Sequence, residues 1–220
     1  MNKSDIQRIA RESLSEVLNK SGSILYSSHE TLRKGDIYLL GFNPGGTDGD
    51  ALDKAIADLL TTKENAYLDQ NWSGDHRTYE NGQAPLQKRV VWLLGALGFE
   101  PSEVCATNLI FLRSRSADTI PYKLAELCWP VHQAILSVVQ PKLILAFGNG
   151  NPSPYVYLRN RFGSTFPEET LKSGHGNWQV KGCSISINGE QPIYLAGVPH
   201  LSYYSPIGKD SVVNWIKGKF

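Results

Sequence analysis

Apolar residues along this chain follow two spacings. In four places they run together: Ile37-Tyr38-Leu39-Leu40, Val104-Cys105-Ala106 leading on to Leu109-Ile110-Phe111-Leu112, Leu143-Ile144-Leu145-Ala146-Phe147, and Ile193-Tyr194-Leu195-Ala196-Gly197-Val198. Short continuous runs bounded by Gly, Asn or Pro read as strands buried on both faces. Elsewhere apolar positions recur every three or four residues, which reads as helix. Ile6, Ile9, Ala10, Leu14, Val17 and Leu18 form one such stripe, opened by a Ser4–Gln7 capping box and closed by Lys20-Ser21-Gly22. Leu52, Ala55, Ile56, Leu59 and Leu60 form a shorter one. Leu86, Val90, Leu93, Leu94 and Leu97 form a third, with Gly98 as its stop. A fourth covers 122–139, where Pro130 predicts a kink or a fresh start, and a last helix covers 211–217.

Strands and helices alternate with no internal repeat. The pattern predicts one α/β domain over 1–220, with a central, mostly parallel four-stranded sheet flanked by helices and an N-terminal helical extension over 1–35. An edge hairpin is expected over 180–187. Residues 63–84 are polar and irregular, with Tyr67, Trp72 and Tyr79 scattered through them, as in a binding loop or lid.

Composition narrows the function classes only modestly. A chain of 220 residues with a formal net charge of +1 lacks the excess of Lys and Arg that strong sequence-independent DNA binding needs. Local pairs such as Arg113 with Arg115 and Arg159 with Arg161 are too sparse to change that. The three cysteines, Cys105, Cys128 and Cys183, form no Cys-x-x-Cys pair, so a zinc ribbon or iron–sulfur centre has no support. Free buried thiols suit a reducing compartment. No apolar run is long enough to span a membrane, and Met1-Asn2-Lys3-Ser4-Asp5 does not open a signal peptide. A cytoplasmic protein without membrane association, cofactor or metal is expected.

Side chains suited to chemistry follow three of the strands: Asn43 in Gly41-Phe42-Asn43-Pro44-Gly45, Asn108 in Ala106-Thr107-Asn108, and His200 with Ser202 in Pro199-His200-Leu201-Ser202. Parallel strands bring their carboxyl ends to one edge, where open α/β sheets bind ligands. Each residue taken alone has a plain alternative: Asn at a strand end forms turns, and a lone His is commonly a satisfied structural residue. His29, His76, His132 and His175 have no motif around them and read as structural.

The order of these motifs, with Gln140-Pro141-Lys142-Leu143-Ile144-Leu145-Ala146-Phe147-Gly148 between the second and the last, resembles the uracil-DNA glycosylase superfamily over roughly 36–215. Gly41-Phe42-Asn43-Pro44-Gly45 is similar to the Gly-x-Asn-Pro-Gly of its mismatch-specific and single-strand-selective branches. His200-Leu201-Ser202 is similar to its His-Pro-Ser loop, with Leu201 where proline stiffens the turn. Asn151-Pro152-Ser153 resembles the Asn-Pro-Ser loop of the mismatch branch, but it follows the third strand and reads as an ordinary loop.

The resemblance implies a monofunctional DNA glycosylase that hydrolyses the N-glycosidic bond of uracil or a related damaged base, with DNA as partner, acting as a monomer and nucleoid-associated when on DNA. A base must leave the stack before such chemistry. The resemblance assigns Asn43 to orienting the attacking water and His200 to stabilising negative charge on the departing base. Asn108 would read the pyrimidine edge, since an amide complements both O4 and N3–H of uracil. Gly41, Phe42, Pro44 and Gly45 would shape the pocket, and the Phe42 N–H would assist. Ser202 would meet a phosphate, Tyr203 or Tyr204 would wedge into the duplex, and Tyr79, with Trp72 second, would stack on the base. Two other readings stay open: a noncatalytic protein of this fold that binds nucleic acid or a free base, and an unrelated α/β hydrolase, for which no Gly-x-Ser-x-Gly elbow is present.

Overall fold

The computed structural model describes residues 3–46, 49–73, 77–187, 189 and 191–220. His76, Met1 and Asn2 lie outside the described residues. The strands are β1 (Ile37–Gly41), β2 (Cys105–Asn108), β3 (Leu143–Phe147), β4 (Glu169–Lys172), β5 (Gln179–Ile185) and β6 (Ile193–Val198). They form one mixed sheet in the order β2-β1-β3-β6-β5-β4. The four apolar runs are the parallel part, with β1 between β2 and β3, and β6 beside β3. The sheet is wider than the four strands expected, because β5 joins β6 antiparallel and β4 pairs with β5. The hairpin expected over 180–187 is instead the single strand β5, paired with β4 on one side and β6 on the other; β4 carries no apolar run because three of its four residues are exposed at the edge.

The helices are α1 (Lys3–Ser13), α2 (Leu52–Ala57), α3 (Pro85–Leu97), α4 (Leu124–Val139), α5 (Pro154–Phe162) and α6 (Asp210–Lys217). Strand periodicity decides which side each helix covers. Tyr38, Leu40, Ile144, Ala146 and Leu195 face a core completed by α1, α4 and α5. Ile37, Leu39, Leu143, Leu145, Phe147, Ala196 and Val198 face a second core completed by α3 and α6. The result is a three-layer α/β/α sandwich.

Several local expectations change. The first helix ends at Ser13 and passes into a short 3-10 turn, Ser15–Val17, rather than running on to Lys20. Ser4 lies inside its first turn, and the Gln7 amide donates to the carbonyls of Ile56 and Ala57 at the end of α2. That contact ties two helices together and satisfies carbonyls that a helix end leaves open. Ile6 and Ala10 of α1 are fully buried against α4. The segment after it covers the β2 edge through Ser23 N–H to Phe111 O and Tyr26 N–H to Ala106 O. Helix α4 continues through Pro130. Helix α3 ends as expected, with Gly98 at φ +94°. All three cysteines are buried and unpaired. No helix among the described residues is long and apolar enough to cross a membrane.

Candidate functional site

From β1 the chain connects to β2 on one side and later to β3 on the other. A sheet whose order reverses in this way opens a crevice at the carboxyl ends of the strands flanking the switch. Gly41, Asn108 and Phe147 are the last residues of the three strands concerned, and Gly41 pairs directly with Asn108.

The turn after β1 is fastened along its length to the loop after β2. Leu109 N–H donates to Gly41 O at 2.8 Å, Ile110 N–H to Phe42 O at 2.9 Å, and Ser114 N–H to Pro44 O at 3.1 Å. Arg113 Nη1 donates to Gly45 O at 2.7 Å. Phe42 is buried in the core, its ring tilted against Tyr122, and Pro44 is buried too, while Gly45 is exposed. Motif residues 41–45 therefore sit in a clamped turn rather than a loose loop.

Asn43 is half-buried, and its Nδ2 donates to Ser114 Oγ at 2.8 Å, Pro44 O at 2.9 Å and Leu112 O at 3.3 Å. Carbonyl oxygens only accept, so the nitrogen must face them and the amide has one orientation. Ser114 Oγ is itself held by donating to Ser116 O. The Asn43 Oδ1 makes no hydrogen bond to a described residue. A fixed carbonyl-type acceptor at this edge can hold a water molecule in one position.

Asn108 is 3% exposed, and its Nδ2 is buried without an acceptor among the described residues. Leaving such a donor unpaired costs about 1–3 kcal/mol, a cost that a bound water or ligand accepting from it would remove. A Cβ on Gly41 would collide with Asn108 Oδ1 and stand 2.6 Å from Phe147 Cζ. Only glycine lets these two side chains close over the end of β1. The Phe147 ring lies in turn edge-on to His200, with centroids 5.7 Å apart. Asn108, Gly41, Phe147 and His200 thus form a continuous line of neighbours across the sheet edge.

The His200 Nδ1 accepts from Ser202 N–H at 3.2 Å. A neutral imidazole that accepts at Nδ1 carries its proton on Nε2 and presents it as a donor. Desolvation lowers the His200 pKa from its ordinary value, which favours that neutral form. Leu201 does not loosen the loop. Its side chain is fully buried in the core shared with α3 and α6. Arg89 Nη1 donates to Leu201 O at 2.6 Å and to Ser202 O at 2.7 Å. The N–H groups of Tyr203 and Tyr204 both return to His200 O. Arg89 has no sequence signal for this role, since its partners are backbone carbonyls more than a hundred residues away.

The two tyrosines part company. Tyr204 is fully buried and donates its hydroxyl to Ser173 O, so it is not available as a wedge, whereas Tyr203 is 75% exposed. Ser202 is exposed. The Tyr79 ring is covered by the Arg77 guanidinium at 4.3 Å, and its N–H donates to Trp72 O. Trp72 packs against Tyr26 and Tyr67. Phe147, passed over in the sequence as one more apolar strand residue, is the aromatic beside Asn108 and His200. The loop Asn151-Pro152-Ser153, set aside on sequence grounds, lines a cleft of about 520 Å³ that also includes Pro199 and His200. Ser153 caps α5 by accepting from Val156 N–H.

Among the described residues no cluster of three His, Cys, Asp or Glu side chains is arranged to hold a metal ion. The line of neighbours offers an unpaired buried amide donor (Asn108) and a neutral N–H donor (His200), while the fixed acceptor of Asn43 stands in the turn after β1, its contacts going to Pro44, Leu112 and Ser114. Such a set can orient water, read a polar heterocycle and stabilise developing negative charge. Searches against protein-family models and against curated proteins return no match to this chain.

Proposed function

We propose that this chain is a monofunctional DNA glycosylase of the uracil-DNA glycosylase type, hydrolysing the N-glycosidic bond of uracil or a related base. The observation that carries this is the Asn108 amide, buried with an unpaired Nδ2 beside Gly41 and the Phe147 ring. A uracil edge supplies what that amide lacks: O4 accepts from Nδ2, and N3–H donates to Oδ1. Cytosine presents the reverse pattern and would leave both groups unpaired.

The other residues take the roles that the resemblance implies, and their geometry is compatible with those roles. The extrahelical base enters beside Phe147, which contributes an apolar wall. Asn43 Oδ1 accepts from a water and holds it for attack on the sugar carbon. An amide is a poor base, so this is orientation rather than proton abstraction. His200 Nε2–H donates to the base O2 as the bond breaks and negative charge accumulates. Ser202 and the exposed Tyr203 stand on the same turn as His200, where a phosphate and the emptied stack would lie.

A noncatalytic base-binding role is the second reading, favoured by the contacts of Asn43, which go to the turn and the loop after β2 and not to Asn108 or His200. The two separate in one assay of purified protein on oligonucleotides carrying uracil, hypoxanthine or a mismatch, in excess chelator. Alkali-labile abasic sites are expected from the wild type. Asn108→Ala should lower the rate and narrow the preference for uracil over cytosine. Uracil-bearing DNA that is bound but left intact would transfer the site to the binding role.

A further inference from the structure

The 520 Å³ cleft lies beside His200, between Ala117 and Asp118 on the loop after β2 and the β4–β5 hairpin, and of its lining the chemistry assigned above uses His200 alone. Its far wall is the Trp178 indole, 41% exposed, with the His175 ring packed on it at 4.7 Å.

The hairpin holding Trp178 is braced rather than loose. Trp178 N–H donates to His175 O, and Ser173 N–H donates back to Trp178 O. Lys209 Nζ donates to Gly174 O at 2.8 Å, and the Tyr204 hydroxyl to Ser173 O. On the cleft floor, Asn149 Nδ2 donates to both Gln179 O and Gly197 O at 2.8 Å, tying the β3 loop to β5 and β6. The backbone that carries the indole is therefore held in place before any ligand binds. Lys181, also lining the cleft, is in no ion pair with a described residue. The amides of Asn151 and Asn177 add donors and acceptors that suit any base edge.

We propose that this cleft is a nucleotide subsite for single-stranded DNA, in which the base next to the excised one stacks on Trp178 and its phosphate pairs with Lys181. The position relative to the excised base rests on the glycosylase reading; the stacking itself does not. Aromatic platforms beside a single cation are how unpaired strands are held without sequence preference. Paired bases stay in their own stack and cannot reach the indole, so duplex DNA gains nothing from it.

The test is fluorescence anisotropy with a labelled oligothymidylate that contains no excisable base, and with a duplex of equal length. Trp178→Ala should weaken single-strand binding about tenfold, the effect of losing one stacked base, and leave duplex binding unchanged. Trp178→Phe should keep most of the affinity. Lys181→Gln should reduce the salt slope by about one. An unchanged thermal midpoint shows that each variant folds. Wild-type single-strand affinity in Trp178→Ala, equal losses on single strand and duplex, or no binding of oligothymidylate by the wild type would each overturn the subsite. Because no base is released in this assay, a protein that binds through Trp178 yet excises nothing refutes the glycosylase reading alone. Normal excision with Trp178→Ala binding like wild type refutes the subsite alone.

Discussion

Gly41 is the residue on which the site depends most sharply, because it is defined by what cannot be added. A methyl group there meets Asn108 Oδ1 and the Phe147 ring, both buried and backed by strands. Gly41→Ala should cost about 1–3 kcal/mol of stability, as overpacking in a rigid core does. It should also abolish any preference for uracil by turning the Asn108 amide, and a denaturant midpoint read alongside excision selectivity checks both. His132 shows the opposite case, a histidine fully satisfied by the protein. Its Nε2–H donates to Leu109 O at 3.0 Å, and its Nδ1 accepts from Tyr38 Oη at 2.8 Å, which in turn accepts from Thr107. Burial pulls its pKa down from 6.5 to about 4. A histidine with a depressed folded pKa takes up its proton more readily unfolded, so stability is full above about pH 6.5 and declines as pH falls toward 4. The loss should reach about 3 kcal/mol, and the pH dependence of urea midpoints should flatten in His132→Gln. Sequence alone separates His132 from His200 only by the loop motif around the second.

The parallel strands were legible because each is buried on both faces and must be continuously apolar, a pattern few other structures require. The pieces that escaped are those whose stability is not written as apolar periodicity. Helix α5 hides among Asn, Arg and Pro, although Ser153-Pro154 at its start is the ordinary opening of a helix. Edge strand β4 is exposed and short. The turn after β6 looked weak for want of a proline, yet Leu201 is anchored in the core and Arg89 grips its two carbonyls. Rigidity that one residue supplies by fixing its own backbone is here supplied by a guanidinium on α3. Arg89→Ala removes two charge-assisted hydrogen bonds and should cost about 1–3 kcal/mol. It should lower excision through a less well-placed His200 while leaving intact the uracil selectivity proposed for Asn108. Both bonds leave the single nitrogen Nη1, so Arg89→Lys, which keeps the charge on a shorter side chain, should recover part of the loss.

At the scale of the molecule, the switch in strand order brings the ends of β1, β2, β3 and β6 to one edge, and the loops after them are fixed by contacts with each other. The sequence motifs locate those loops, but not the pairing of Gly41 with Asn108 and Phe147, which needs three strands in register. A formal net charge of +1 gives the protein little general attraction for DNA, so on the proposed reading its affinity rests on a few local phosphate contacts and on stacking outside the base pocket. The most direct test of the whole account is single-turnover release of uracil from an oligonucleotide by wild type, Asn43→Ala and His200→Ala, with DNA affinity measured in parallel. Wild type should release the base, each variant should be slower by about a hundredfold or more, and affinity should hardly change. Release by Asn43→Ala at the wild-type rate, or no release by the wild type at all, would contradict it.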